Sequence, residues 1–150
     1  MTTLLIATRN AHKVQEIAAL LGAEFVCRAL LQEFPDAPVA VEDADSFAGN
    51  AAKKAASLAT WLRARGFAPE HILVWGESLG GGIASHVAAT QRVGGLMLQS
   101  TFTSIPDIGA ELFPWLPVKL LARIRYDTHA RLGEINCPVV VLHSRADGMI

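Results

Sequence analysis

Residues 74–88 read Val-Trp-Gly-Glu-Ser-Leu-Gly-Gly-Gly-Ile-Ala-Ser-His-Val-Ala. Ser78 falls where a strand-like apolar run gives way to a helical pattern. That is where a nucleophile belongs. A tight strand-to-helix turn projects the hydroxyl, Gly76 and Gly80 let the backbone approach closely around it, and the helix N-terminus stabilises a developing oxyanion. Serine alone is a poor nucleophile and needs a base, an orienting acid and oxyanion donors. The candidate bases are His12, His71, His86, His129 and His143. His143 ends the last apolar run, near the edge from which Ser78 emerges. His86 lies two turns along the helix and points away from its start. His12 sits in the first turn after the first apolar run. Each reads first as an ordinary surface histidine, with His12 the exception of interest.

These residues need elements to hold them. Residues 3–7 form a short apolar strand. Asn10 caps a helix over 11–22 with Val14, Ile17, Ala18 and Leu21 on one face and Gly22 as its stop. Residues 24–29 are a second strand, and 31–45, with two prolines and a run of acids, a loop. Ser46 caps a helix that stops near Gly66. Strands at 72–76, 94–99 and 138–143 follow, the first two joined by a helix from Ser78 to about Gln91. Residues 101–117 carry three prolines and large apolar side chains. There Phe102, Phe113 and Trp115 either line an acyl pocket or cover the sheet. Residues 118–124 suggest a helical turn or two.

The 150 residues suggest one domain. With 51% hydrophobic and 18% charged residues the chain is globular rather than disordered. A net charge of -1 gives no sign of a nucleic-acid partner or an anionic membrane surface. No apolar run approaches the roughly 20 residues of a spanning helix, and the N-terminus lacks the pattern of a secretory leader. Cys27 and Cys137 lie far apart in the sequence and read as buried thiols in a reducing, cytoplasmic setting.

Two families are resembled. From about residue 56 onward, the stretches 61–84, 95–108, 112–127 and 135–150 resemble the α/β-hydrolase superfamily of serine hydrolases. The resemblance makes Ser78 the nucleophile, the Leu79 amide an oxyanion donor and Asp147 the triad acid. It supplies no counterpart of the family histidine or of the second oxyanion donor. From residue 1 to about 58, the chain is similar to the inosine triphosphatase family of pyrophosphatases, which cleave non-canonical purine nucleoside triphosphates. Thr8, Asn10 and Lys13 match its T-x-N-x-x-K pattern. Phe47, Asn50, Ala51, Lys54 and Ala55 match its F-x-x-N-A-x-x-K-A pattern. That resemblance implies a phosphate cradle at the helix after Thr8, neutralised by Lys13. It adds nucleotide contacts from Asn50 and Lys54 and makes Glu42 a candidate magnesium ligand. The family's paired aspartates have no counterpart. The order of the two resemblances implies a chimera joined between Lys54 and Trp61, in a helix common to both.

The expected fold is a single three-layer α/β domain, with segments 1–58 and 59–150. Its five-stranded parallel sheet has the flavodoxin-like order 24–29, 3–7, 72–76, 94–99, 138–143. That order sets the loop after strand 3–7 opposite Ser78, so that the Arg9 or Asn10 amide replaces the missing oxyanion donor and His12 approaches the serine. The expected function is a serine hydrolase with an incomplete site, giving weak or no turnover of an ester, thioester or amide and needing no cofactor. The alternatives are a nucleoside triphosphate pyrophosphatase-like protein, with magnesium, and a non-catalytic α/β domain.

Overall fold

A computed structural model describes residues 1–8, 10–122 and 125–144. The chain divides into two compact units, Met1–Val39 and Ala40–Ile150.

In the first unit, β1 (Thr2–Ile6) and β2 (Phe25–Ala29) pair in parallel, with Thr2 opposite Phe25 and Ile6 opposite Ala29. The crossover between them is α1 (Ala11–Leu21). Its start is fixed as the sequence implies: the Asn10 side chain accepts a hydrogen bond from the His12 amide at 2.9 Å. At its end Gly22 takes φ +71°, and its amide donates to the Ala18 carbonyl at 3.2 Å. Val14, Ile17, Ala18 and Leu21 are half-buried while the rest of α1 is exposed, so the apolar face is the one the spacing marks. A short α2 (Leu30–Glu33) follows β2 directly, and Leu30 is fully buried.

The second unit opens on a loop and then α3 (Phe47–Ala64). Ser46 Oγ accepts from the Gly49 amide at 3.0 Å, and Gly66, at φ +91°, turns the chain after the last turn. The sheet of this unit is β3 (Leu73–Glu77), β4 (Gly95–Gln99) and β5 (Val139–Leu142), all parallel, with β4 central. Leu73 faces Gly95, and Leu96 faces Val139. Between β3 and β4 runs α4 (Leu79–Thr90). Its Ala84 and Ala88 pack with Leu96 and Leu98 of β4, flanked by Val74, Val93, Ile135 and Cys137. Two small residues on the helix let it lie close to the strands. After β4 come α5 (Ile105–Leu112), α6 (Val118–Leu121) and α7 (Thr128–Leu132). Every residue of β5 is exposed to solvent.

The strands lie within about a residue of their expected bounds, but they do not form one five-stranded sheet. The strands expected at 3–7 and 72–76 belong to separate sheets, so the order 2-1-3-4-5 is not formed. Alternating strands and helices fix the parallel sense within each crossover. They do not dictate that one crossover unit adds its edge to the next, because each pair or triplet of strands completes a ladder of its own. Cys27 and Cys137 are free thiols, each half-buried rather than buried.

Candidate functional site

Ser78 stands alone between β3 and α4, at φ 51° and ψ -122°. A side-chain-bearing residue pays a strain of about 1–3 kcal/mol to sit there, since ψ lies far from the left-handed pocket that L-residues tolerate. Three hydrogen bonds hold it. Its amide donates to the Gln99 carbonyl at 3.0 Å, while its carbonyl accepts from the Gly81 amide at 2.9 Å and from Thr101 Oγ1 at 2.8 Å. Gly76 is required by contact: a Cβ there would collide with the Gly80 carbonyl oxygen and come within 2.6 Å of the Ala84 Cβ. Gly80 has a different role from the one its motif position implies, for a Cβ on it would meet nothing within 4 Å. The second close approach is at Gly81, against the Thr101 side chain. Thr101 was not legible as part of this turn, because it reaches Ser78 from a loop 23 residues away in sequence.

The other hydrolase residues are unevenly placed. Leu79 begins α4 and is 45% exposed. His86 lies on the exposed side of α4. His143, directly after β5, is exposed and lines an open cleft of about 230 Å³ with Thr101, Phe102, Thr103, Asp107, Ile108 and Glu111. Thr101 thus borders both the serine turn and this cleft. Asp147 lies outside the described residues. The pairing of 3–7 with 72–76, on which the expected approach of the Arg9 or Asn10 amide and His12 to Ser78 rested, is not formed. Arg9 itself is also outside the described residues. Of the three aromatics, only Phe102 is buried. Phe113 and Trp115 are exposed and meet edge to face at 6.3 Å.

At the rim of the cleft, Asp107 is held down to about pKa 2 by hydrogen bonds from Lys119, at 2.8 Å, then from Ser104 and Thr103. Ser104 Oγ also accepts from the Asp107 amide at 3.1 Å, capping α5. The aspartate is therefore a fixture of the helix start rather than a free acid beside His143.

The phosphate-site candidates fall in both units. In the first, the Asn10 amide donates to Thr8 Oγ1 at 3.2 Å, and Lys13 pairs with Glu16 at 3.2 Å. Thr8 and Asn10 thereby shape the turn into α1, and the first-turn amides of such a helix favour an anion. In the second unit Asn50, Lys54 and Glu42 come together. Asn50 Oδ1 accepts from the Ala44 amide at 2.9 Å and its Nδ2 donates to the Ala44 carbonyl at 3.4 Å. Lys54 Nζ lies 2.7 Å from Glu42 Oε1, and Lys53 Nζ 2.6 Å from Asp43 Oδ1. The hydrogen bond from Lys53 is the main cause of the lowered pKa of Asp43. The Glu42 oxygen faces the Lys54 ammonium, and among the described residues there is no group of three or more His, Cys, Asp or Glu that could hold a metal by itself.

Parallel βαβ crossovers define a mixed α/β protein with parallel sheets of two and three strands. Residues 4–74 match the model of the Ham1 family. The match contains Thr8, Asn10, Lys13, Glu42, Asn50 and Lys54, and it runs past residue 58 into β3. A dITP/XTP pyrophosphatase of Geobacillus kaustophilus is 40% identical over 88 residues, 59% of this chain and 43% of that protein. An uncharacterized protein of Mycobacterium tuberculosis is 34% identical over 82 residues, 55% of this chain and 29% of that one. The lysophosphatidylserine lipase ABHD12 of Danio rerio is 26% identical over 108 residues, 60% of this chain and 28% of the lipase. The chain therefore spans less than half the length of each of these relatives. No solved structure matches it significantly. No helix among the described residues is long and apolar enough to cross a membrane.

Proposed function

We propose that the chain binds the phosphates of a purine nucleoside triphosphate of the inosine or xanthosine type. Thr8, Asn10 and Lys13 form the cradle of the first unit; within the second unit, Asn50 and Lys54 are candidate phosphate contacts in their own right. The observation that carries this reading is the Ham1 match over residues 4–74, which holds all five residues. A relative named as a dITP/XTP pyrophosphatase supports the choice of nucleotide. Binding is proposed to exceed turnover, because the family's paired aspartates have no counterpart and Glu42 is engaged by Lys54. Free Cys27 and Cys137 accord with a reducing compartment such as the cytoplasm.

Titration of the chain with dITP should show saturable binding that Lys13→Ala weakens about fivefold, the size expected for one exposed charge-assisted contact. Release of pyrophosphate should stay near background. Absence of dITP binding, or rapid release of pyrophosphate, would refute the reading.

A second reading has one specific observation behind it: the φ 51°, ψ -122° geometry of Ser78. Strain at a serine between strand and helix is the mark of a nucleophile turn. On that reading the chain keeps the turn of a serine hydrolase with weak or no turnover. A serine-reactive phosphonate should label it slowly, if at all, and only through Ser78. Rapid labelling that survives Ser78→Ala would count against it.

A further inference from the structure

The acidic loop before α3 folds back along that helix and occupies the groups that the phosphate reading needs. Ala44 is clamped by Asn50 through both its amide and its carbonyl. Glu42 and Asp43 each take one of two adjacent lysines, Lys54 and Lys53. The fit is close: a Cβ on Gly49 would lie 2.8 Å from the Ala44 Cβ and 3.1 Å from Ser46 Oγ. Four neighbouring contacts within one turn of chain are more than a chance surface ion pair. They hold two carboxylates against two ammonium groups, the arrangement that an oligophosphate would present in their place.

We infer that residues 42–45 act as a built-in competitor, so that an oligophosphate reaches Lys53 and Lys54 only by displacing Glu42 and Asp43. This rests on the reading of Lys54 as a phosphate contact. Both lysines and both acids are about half exposed. The pairs are therefore weak enough to be exchanged, since exposed ion pairs contribute little and are screened by salt. Glu42 on this view restrains the site when no oligophosphate is bound. The arrangement also favours ligands that replace two carboxylates at once, such as a triphosphate, over a single phosphate.

The test is titration of the full chain with inorganic tripolyphosphate, at low salt and without added metal. Glu42→Gln and Asp43→Asn should each tighten binding about threefold, the scale of one exposed pair. Asp45→Asn removes a charge from the same loop that makes neither contact, and should change binding clearly less. Lys54→Ala should cancel the gain from Glu42→Gln. The inference is overturned if wild type binds and the Glu42 and Asp43 variants bind no tighter. It is also overturned if Asp45→Asn tightens binding equally, which would reduce the effect to net charge. If neither wild type nor any variant binds tripolyphosphate, the phosphate reading of Lys54 fails and the competitor fails with it. All four sites are exposed, and circular dichroism will show whether each variant keeps its helices.

Discussion

Gly76→Ala is expected to destabilise the second unit by about 3 kcal/mol, at the upper end of the cost of overpacking. The added methyl would meet the Gly80 carbonyl oxygen, the Gly80 carbonyl carbon at 2.7 Å and the Ala84 Cβ at 2.6 Å. Two of these are backbone atoms in the first turn of α4, so no side-chain rotation relieves the clash. The helix must move off β3, and Ala84 and Ala88 lose their seat on Leu96 and Leu98. Gly80→Ala is the matched control. Its Cβ would meet nothing, and alanine in a helix is favoured over glycine by roughly 0.5–1 kcal/mol. Trp61, Trp75 and Trp115 all lie in this unit, so denaturant unfolding followed by tryptophan emission reports on it alone. The Gly76 variant should unfold at clearly lower denaturant than wild type, and the Gly80 variant at the same or higher. Equal midpoints for the two would show that the strand and helix are not packed as described.

This pair of glycines shows where the sequence was legible and where it was not. Local rules worked well. Asn10 and Ser46 cap the helices they were expected to cap, and Gly66 ends α3, because capping involves partners only two or three residues away. The apolar face of α1 followed from period alone. Other local signals were present and not read. Ser104 with Asp107 is a cap three residues apart, and Asp127 accepts from the Ala130 amide at 2.8 Å to start α7. What failed was non-local. Strand pairing joins segments tens of residues apart, and the same alternating pattern is satisfied by one sheet of five or by sheets of two and three. The site divides along the same line. The strand-to-helix turn at Ser78 followed from its glycine neighbours, while its positive φ and the Thr101 tether did not. Lys54 and Asn50 came from a motif, but the motif is silent on the loop that occupies them. Glu42, a candidate magnesium ligand by resemblance, lies beside Lys54, a pairing the motif does not specify. A carboxylate on a loop that folds back along a lysine-bearing helix lies beside a cation.

Replacing Ser78 by glycine should stabilise the second unit by about 1–2 kcal/mol, against the usual direction of change at a helix start. Ser78 adopts φ 51° and ψ -122°, a region that glycine enters without steric cost and that an L-residue enters at about 1–3 kcal/mol. Part of the gain is lost because glycine also frees the unfolded chain, by roughly 0.4–1 kcal/mol. Among the described residues no helix cap is sacrificed, since Ser78 makes no side-chain cap to α4. Its amide and carbonyl bonds to Gln99, Gly81 and Thr101 are made by backbone atoms that glycine retains. Ser78→Ala keeps the Cβ and hence the strain, and should leave stability within about 0.5 kcal/mol of wild type. The contrast between the two variants isolates the backbone term from loss of the hydroxyl. Denaturant midpoints from tryptophan emission should rank the glycine variant above the other two. If the glycine variant is no more stable than the alanine variant, the turn carries no stored strain. The serine would then be an incidental residue at a glycine-rich corner, and the hydrolase reading would lose the structural observation that favours it.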